Sequence, residues 1–442
     1  MTPVTARPDG PRTAVRYQII FFLFLVTTVN NADRATLSIA GTGLARTLHF
    51  DDVAMGYVFS AFSWAYVLAQ LPGGWLLDRY GSRRIYGWSI VLWSLFTLLQ
   101  GGVGLLPTTV ALVALFALRF LLGLAEAPSF PANGRIVTAW FPTAERGMAT
   151  AIFNAAQYSA TVLFAPIMGW ITHELGWPHV FTFMGLVGLA LAAAWPWIIH
   201  SPRDHPRANR AEIDFIERGG GLVDLERADR SAPTPLRWSV LGQLLQNRML
   251  LGIYLGQYCI ASITWFFLTW FPIYLVKERG LSILQAGFVA ALPALCGLAG
   301  GIGGGIFSDR LLRRGSTLTV ARKVPIVVGL VLSMTMVICN YVAAPAAVVV
   351  IMSVAFFGKG VAALGWAVIS DASPRKITGL SGALFNMFGN VSGIVTPIVI
   401  GYILKSTGSF NGALVFVSAH AVVALVSYLV IVGEIKRVEL RA

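Results

Sequence analysis

Twelve stretches of mostly apolar residues alternate with short polar connections along the chain, roughly over 17–40, 54–77, 85–104, 108–130, 147–170, 178–199, 248–275, 283–308, 323–342, 346–370, 377–403 and 410–433. About 20 such residues carry a helix across the hydrocarbon of a bilayer. The pattern therefore predicts an all-α polytopic membrane protein with twelve transmembrane helices. One connection is long. Residues 201–247 are polar, hold Glu212, Asp214, Glu217 and Asp224, and divide the spans into two sets of six. The expected organisation is a tail (1–16), a first six-helix half (17–200), a central loop (201–247), a second half (248–433) and a short tail (434–442).

The halves repeat. Gly73-Gly74-Trp-Leu-Leu-Asp78-Arg79 returns as Gly304-Gly305-Ile-Phe-Ser-Asp309-Arg310, 231 positions later. The stretch from Gly147 to Ile171 returns at Gly379 to Ile403, 232 positions later, with Phe153-Asn154 falling on Phe385-Asn386 and Gly169 on Gly401. Six helices per half make the repeats parallel, the arrangement in which a substrate is held between two rocking half-domains. Gly297, Gly301 and Gly305 are spaced for close helix packing.

Composition agrees with the pattern. Charged residues make up 12% of the chain and mean hydropathy is +0.71, against roughly 25% charged in soluble domains. The 33 Lys and Arg fall 26 on one side of the spans and four on the other, with Arg34, Arg119 and Lys359 inside them. Cationic loops stay inside, so both termini are expected in the cytoplasm. That placement accounts for the basic charge without nucleic acid. Cys259, Cys296 and Cys339 lie in apolar stretches and read as packing residues. The first span is too long for a signal-peptide core and carries Asp33 and Arg34.

Ionisable residues inside spans are costly and mark function or pairing. Five stand out: Asp33, Arg34, Arg119, Glu126 and Lys359. Three cations against two anions leave a surplus that suits an anionic ligand, although an Asp33–Arg119 pair is also a structural possibility. Arg119 and Glu126 share a helix face about 10 Å apart along the axis, too far for a simple salt bridge. Lys359 lies about 20 Å down its helix, and Gly358 and Gly360 are expected to open room beside it; a Lys359–Asp371 pair is the bland alternative. Asp371 is expected beside Arg375 and Lys376 at a helix end. Tyr66, Gln157 and Asn386 are polar within apolar spans and suit a hydroxylated ligand or helix–helix hydrogen bonds. Asn154 and Asn390 read as helix–helix hydrogen-bonding residues and Trp265 as core packing. Asp78, Arg79 and Arg83, with Asp309 and Arg310 in the second half, suit a charge latch between helices rather than a substrate contact.

The segment Asp78-Arg79-Tyr-Gly-Ser-Arg83-Arg84 after Gly73-Gly74 resembles the loop signature of the major facilitator superfamily. Asn-Ala-Asp33-Arg34-Ala-Thr-Leu-Ser, Gly56 through Tyr66, and Arg119 through Glu126-Ala-Pro-Ser-Phe-Pro resemble its anion:cation symporters. Phe356-Phe-Gly-Lys359-Gly and Leu380 through Asn390 are similar to the bacterial glucarate/galactarate permeases among them. The resemblance covers nearly the whole chain. It implies proton-coupled symport of a sugar diacid across the bacterial inner membrane, with a related monoacid as the alternative. It also implies Asp33 and Glu126 as proton-coupling carboxylates, Arg119 as their modulating cation and Arg34 as a substrate-carboxylate ligand, with Tyr66, Gln157 and Asn386 at substrate positions. Lys359 is expected to take a second carboxylate. No cofactor is expected beyond protons as coupling ion, with sodium an alternative; the partners expected are the organic anion and the bilayer, with the chain a monomer.

Other classes lack their chemistry. Gly358-Lys359-Gly360 has neither the leading glycine nor the following hydroxyl of a phosphate loop. Asn390-Val-Ser392 is a sequon inside a span. The six histidines are scattered, and no nucleophile–base set suggests an enzyme.

Overall fold

The computed structural model describes residues 11–225, 238–374 and 378–439. Arg375 and Lys376 lie outside them, as do residues 1–10 and part of the central loop. The described chain is helical, and twelve helical segments are long and apolar enough to cross a membrane. In the first half they are α1 (Val15–Leu48), α2 (Asp52–Tyr80), α3 (Ser82–Gln100), α4 (Thr108–Glu126) running on into α5 (Ser129–Trp140), α6 (Arg146–Glu174) and α7 (Trp177–Ile198). Two short helices follow in the connection, α8 (Arg210–Arg218) and α9 (Trp238–Gln246). The second half holds α10 (Arg248–Thr269), the short α11 (Phe271–Lys277), α12 (Ile283–Arg313), α13 (Leu318–Met334), α14 (Pro345–Ala362), α15 (Gly365–Ala372), α16 (Thr378–Thr407) and α17 (Asn411–Val426).

Polar residues at the span entrances start the helices. Asp51 accepts from Ala54 N at 2.7 Å, Asn247 from Leu250 N at 3.1 Å, and Ser282 forms a reciprocal capping box with Gln285. Three expected spans are interrupted. The fourth loses its regular ladder at Ala127–Pro128, because Pro128 has no N–H to donate, yet both residues keep helical torsions and the span continues to Trp140. The seventh breaks at Trp270, before Pro272. The tenth breaks at Ala363–Leu364.

Even numbers of spans put both termini at one end of the bundle, called here the terminal end, opposite the far end. The halves meet through α2 against α16 and α6 against α12. These interfaces are images of each other under the repeat. A methyl added at Gly56 (α2) would lie 2.7 Å from the Pro397 carbonyl oxygen of α16, and one at Gly287 (α12) would lie 2.8 Å from that of Ala165 on α6. Gly169 and Gly401 complete the two contacts, against Gly287 and the Asp52 carbonyl.

Within the second half, α12 packs on α14 through Gly297, Gly300 and Gly304. The sequence register was one residue off: Gly301 faces the cavity between the halves, and Gly305 has nothing near it. Gly358 and Gly360 also do the opposite of opening room. Gly358 abuts Gly329 of α13, and Gly360 abuts Gly297 of α12. They clamp the backbone on either side of Lys359.

Candidate functional site

A cavity of about 820 Å³ lies between the halves. Its walls reach Met148 in the first turn of α6 and Trp366 on α15, so it extends toward the terminal end. At the far end the halves are shut. Lys405 Nζ pairs with Asp51 at 2.8 Å, and Lys277 pairs with Asp52.

The first half contributes a compact charged set from α1 and α4. Glu126 is fully buried and receives Arg34 Nε at 3.0 Å. Arg34 also donates to Asn30 at 3.3 Å and lies over the rings of Phe62 and Tyr66, 4.8 and 5.2 Å from their centroids. Arg119 stands 5.8 Å from the Phe62 centroid, so that ring is shared by both guanidinium groups. Arg119 donates to the backbone carbonyl of Asp33 at 3.3 Å, not to its carboxylate. Neither Asp33 side-chain oxygen meets a donor in normal hydrogen-bond geometry, although the residue is completely buried and Thr97 of α3 faces it. The structure thus places Asp33, Arg34, Arg119 and Glu126 together, with Arg34 engaged by Glu126 rather than free in the cavity.

The second half contributes Lys359. It is 5% exposed, and its Nζ lies 3.5 Å from the Tyr158 hydroxyl and over the rings of Tyr158 and Phe356. Asp371 does not reach it, because Arg322 of α13 holds that carboxylate at 2.8 Å. Tyr66, Gln157 and Asn386 all line the cavity, Gln157 exposed into it and Asn386 accepting from Asn390. Asn154 and Asn390, read from sequence as helix–helix hydrogen-bonding residues, and Trp265, read as core packing, line it too. Sequence reasoning missed Tyr158, Gln257 and Trp366. Only their polarity or size within apolar helices marked them, and aromatic residues are common throughout this chain.

The latch residues lie away from the cavity. Asp78 pairs with Arg135 of α5 inside the first half, and Arg83 donates to the Pro196 carbonyl of α7 at 2.7 Å. Arg79 lies over the Trp75 and Tyr80 rings of its own helix. Asp309 and Arg310 occupy the matching end of α12, near its last turn.

The Major Facilitator Superfamily model matches residues 23–365. The chain belongs to that superfamily. It is 59% identical over 434 residues to the "Probable galactarate/D-glucarate transporter GudP" of Bacillus subtilis (strain 168), covering 98% of this chain and 95% of the relative. It is 54% identical over 443 residues to a Pseudomonas putida protein of the same name, covering 98% and 95%. It is 39% identical over 440 residues to the "D-galactonate transporter" of Escherichia coli O6:H1, covering 99% of each. Among solved structures, the crystal structure of a D-xylose-proton symporter superposes with a TM-score of 0.70 at 14% identity, covering 95% of this chain and 98% of that one. A bacterial homolog of the human lysosomal transporter Spinster gives 0.72 at 15% identity, covering 95% and 97%. The protein is a multi-pass membrane transporter of this superfamily and not an enzyme.

Proposed function

We propose that the chain carries a six-carbon sugar diacid, galactarate or glucarate, into the cell together with protons by alternating access, acting as a monomer in the bacterial inner membrane. The Lys and Arg bias of the loops supports a cytoplasmic terminal end, and on that orientation the cavity extends inward. The observation that carries the reading is the Arg34–Glu126 pair at 3.0 Å facing Lys359 across that cavity. Ionised Glu126 occupies the cation that would hold a substrate carboxylate. Protonating Glu126 removes that competitor, so proton and anion favour each other's binding, which is the thermodynamic content of symport. The near relatives' names support the diacid.

Energetics favours coupling over uniport. Drawing a dianion in against 100 mV costs roughly 4.6 kcal/mol, at ~2.3 per charge. Asp33 and Glu126 provide two sites for protons, enough to make a dianion's entry electroneutral. Lys359 then takes the second carboxylate, and Tyr66, Gln157 and Asn386 serve the hydroxyls. The test is uptake of labelled galactarate into proteoliposomes. Accumulation is expected to follow a pH gradient, to rise as external pH falls from about 8 to 6, and to alkalinise the medium. A substrate-driven sodium current insensitive to pH would overturn the proton assignment.

A further inference from the structure

Lys359 is a buried cation with no carboxylate within ion-pair distance among the described residues. Its surroundings are two ring faces, Tyr158 at 5.4 Å and Phe356 at 5.2 Å, and one hydroxyl, that of Tyr158. Rings lower the cost of a buried ammonium without neutralising it. An ammonium has only donors, so in this contact the phenol oxygen accepts, and its own O–H remains to donate. Both groups line the cavity.

Packing fixes the two groups in place. Gly358 and Gly360 clamp the Lys359 backbone between α13 and α12. The Tyr158 ring lies over Gly297, where an added methyl would come within 3.0 Å of it, and it meets Phe356 edge-on at 6.5 Å. At Gly301 the nearest atom to an added methyl is the Tyr158 hydroxyl, 3.9 Å away, so the wall beside that hydroxyl is open. The two donors belong to different halves, Tyr158 to α6 and Lys359 to α14.

We propose that Tyr158 and Lys359 form one two-donor subsite for the second carboxylate of a dicarboxylate substrate, so that Tyr158 selects diacids over monoacids. The phenol O–H takes one carboxylate oxygen and the ammonium takes the other. A ligand held there touches both half-domains through a single group. This rests on the diacid reading above and adds to it a residue from the opposite half.

The experiment measures half-saturation in counterflow with the full-length protein in liposomes, using galactarate as the diacid and galactonate as a competing monoacid. Tyr158→Phe keeps the ring over Gly297 and removes only the hydroxyl. It is expected to raise the galactarate value about tenfold, the scale of one hydrogen bond to a charged group, and to shift galactonate competition less than about twofold on the same scale. Because the donors share one carboxylate, adding Tyr158→Phe to Lys359→Gln should cost little beyond Lys359→Gln alone. Equal losses for both acids, or losses that multiply in the double variant, would sink the shared subsite and leave diacid transport standing. Wild-type protein that carries no diacid would sink the diacid reading and this subsite with it.

Discussion

Under the proposed function Arg34 serves one carboxylate at a time, that of Glu126 or that of the substrate. Glu126 takes the Arg34 Nε at 3.0 Å, and the Glu126 side chain is fully buried. Replacing Glu126 by Gln keeps the shape and removes the charge proposed to titrate. Glu126→Gln is therefore expected to retain exchange of internal for external substrate within a few-fold of wild type, while proton-driven accumulation falls to the level set by a collapsed gradient. Exchange never requires the empty, deprotonated carrier to return. Concentrative uptake by this variant under a pH gradient would refute the coupling role. The charged residues were legible in sequence because an ionisable group in hydrocarbon is so costly that it stands out against apolar neighbours. Their partners were not. Glu126 lies 92 positions from Arg34, and Asp371 is drawn to Arg322, 49 positions away, instead of to Lys359. Tyr158 carried only the weak signal of one hydroxyl, since an aromatic ring in a membrane helix looks like any other until its hydroxyl is seen beside a lysine.

Helix by helix, the repeat seen in sequence becomes a pair of matching seams. Gly56 against α16 and Gly287 against α6 are 231 positions apart and make the same contact, a glycine pressed on a backbone carbonyl. Both seams bring the halves together toward the far end. Carbonyl oxygens in helices cannot move aside, so a methyl at either glycine must push the halves apart there. Gly287→Ala is expected to disfavour the far-end-closed form by about 1–3 kcal/mol, the usual penalty of overpacking. Exchange should slow on the order of tenfold, and spin labels on α6 and α12 should report a longer far-end distance. Gly303→Ala is the control, because nothing lies within 4 Å of that position. Equal behaviour of the two variants would show that the seam is not limiting. Span positions and the repeat were readable because length and hydropathy determine them. The breaks after Glu126 and Lys359, and the glycine register on α12, depend on which face meets a neighbour, and spacing alone leaves that choice open.

Across the whole molecule, the closed far end combines these seams with three contacts between the halves: Asp51 with Lys405, Asp52 with Lys277, and the hydroxyls of Tyr57 and Tyr402 at 3.3 Å. The ionic contacts are exposed, with side chains of Asp51 and Lys405 half open to solvent, and exposed pairs contribute little. The glycine seams therefore hold the closed form, and the charges trim it. Their response to pH follows from sign. The hydrogen bond from Lys405, with the Ala54 N–H, holds the Asp51 carboxyl below the usual carboxylate range. A depressed carboxylate keeps its pair at every pH above that range and loses it only as pH falls through the lowered value. With the far end facing out, as proposed, acidifying the outside from about 8 to 6 leaves the clasp ionised, so it contributes nothing to the rise in uptake expected there. Asp51→Asn with Lys405→Gln should shift the balance toward the far-end-open form by a few-fold at most, by an amount that shrinks as salt is added. Uptake by this double variant, measured across that pH range, should keep the wild-type profile. A profile displaced along the pH axis would mean that the clasp titrates with transport, and the proton-sensitive step would then belong at the far end of the molecule instead of beside Arg34.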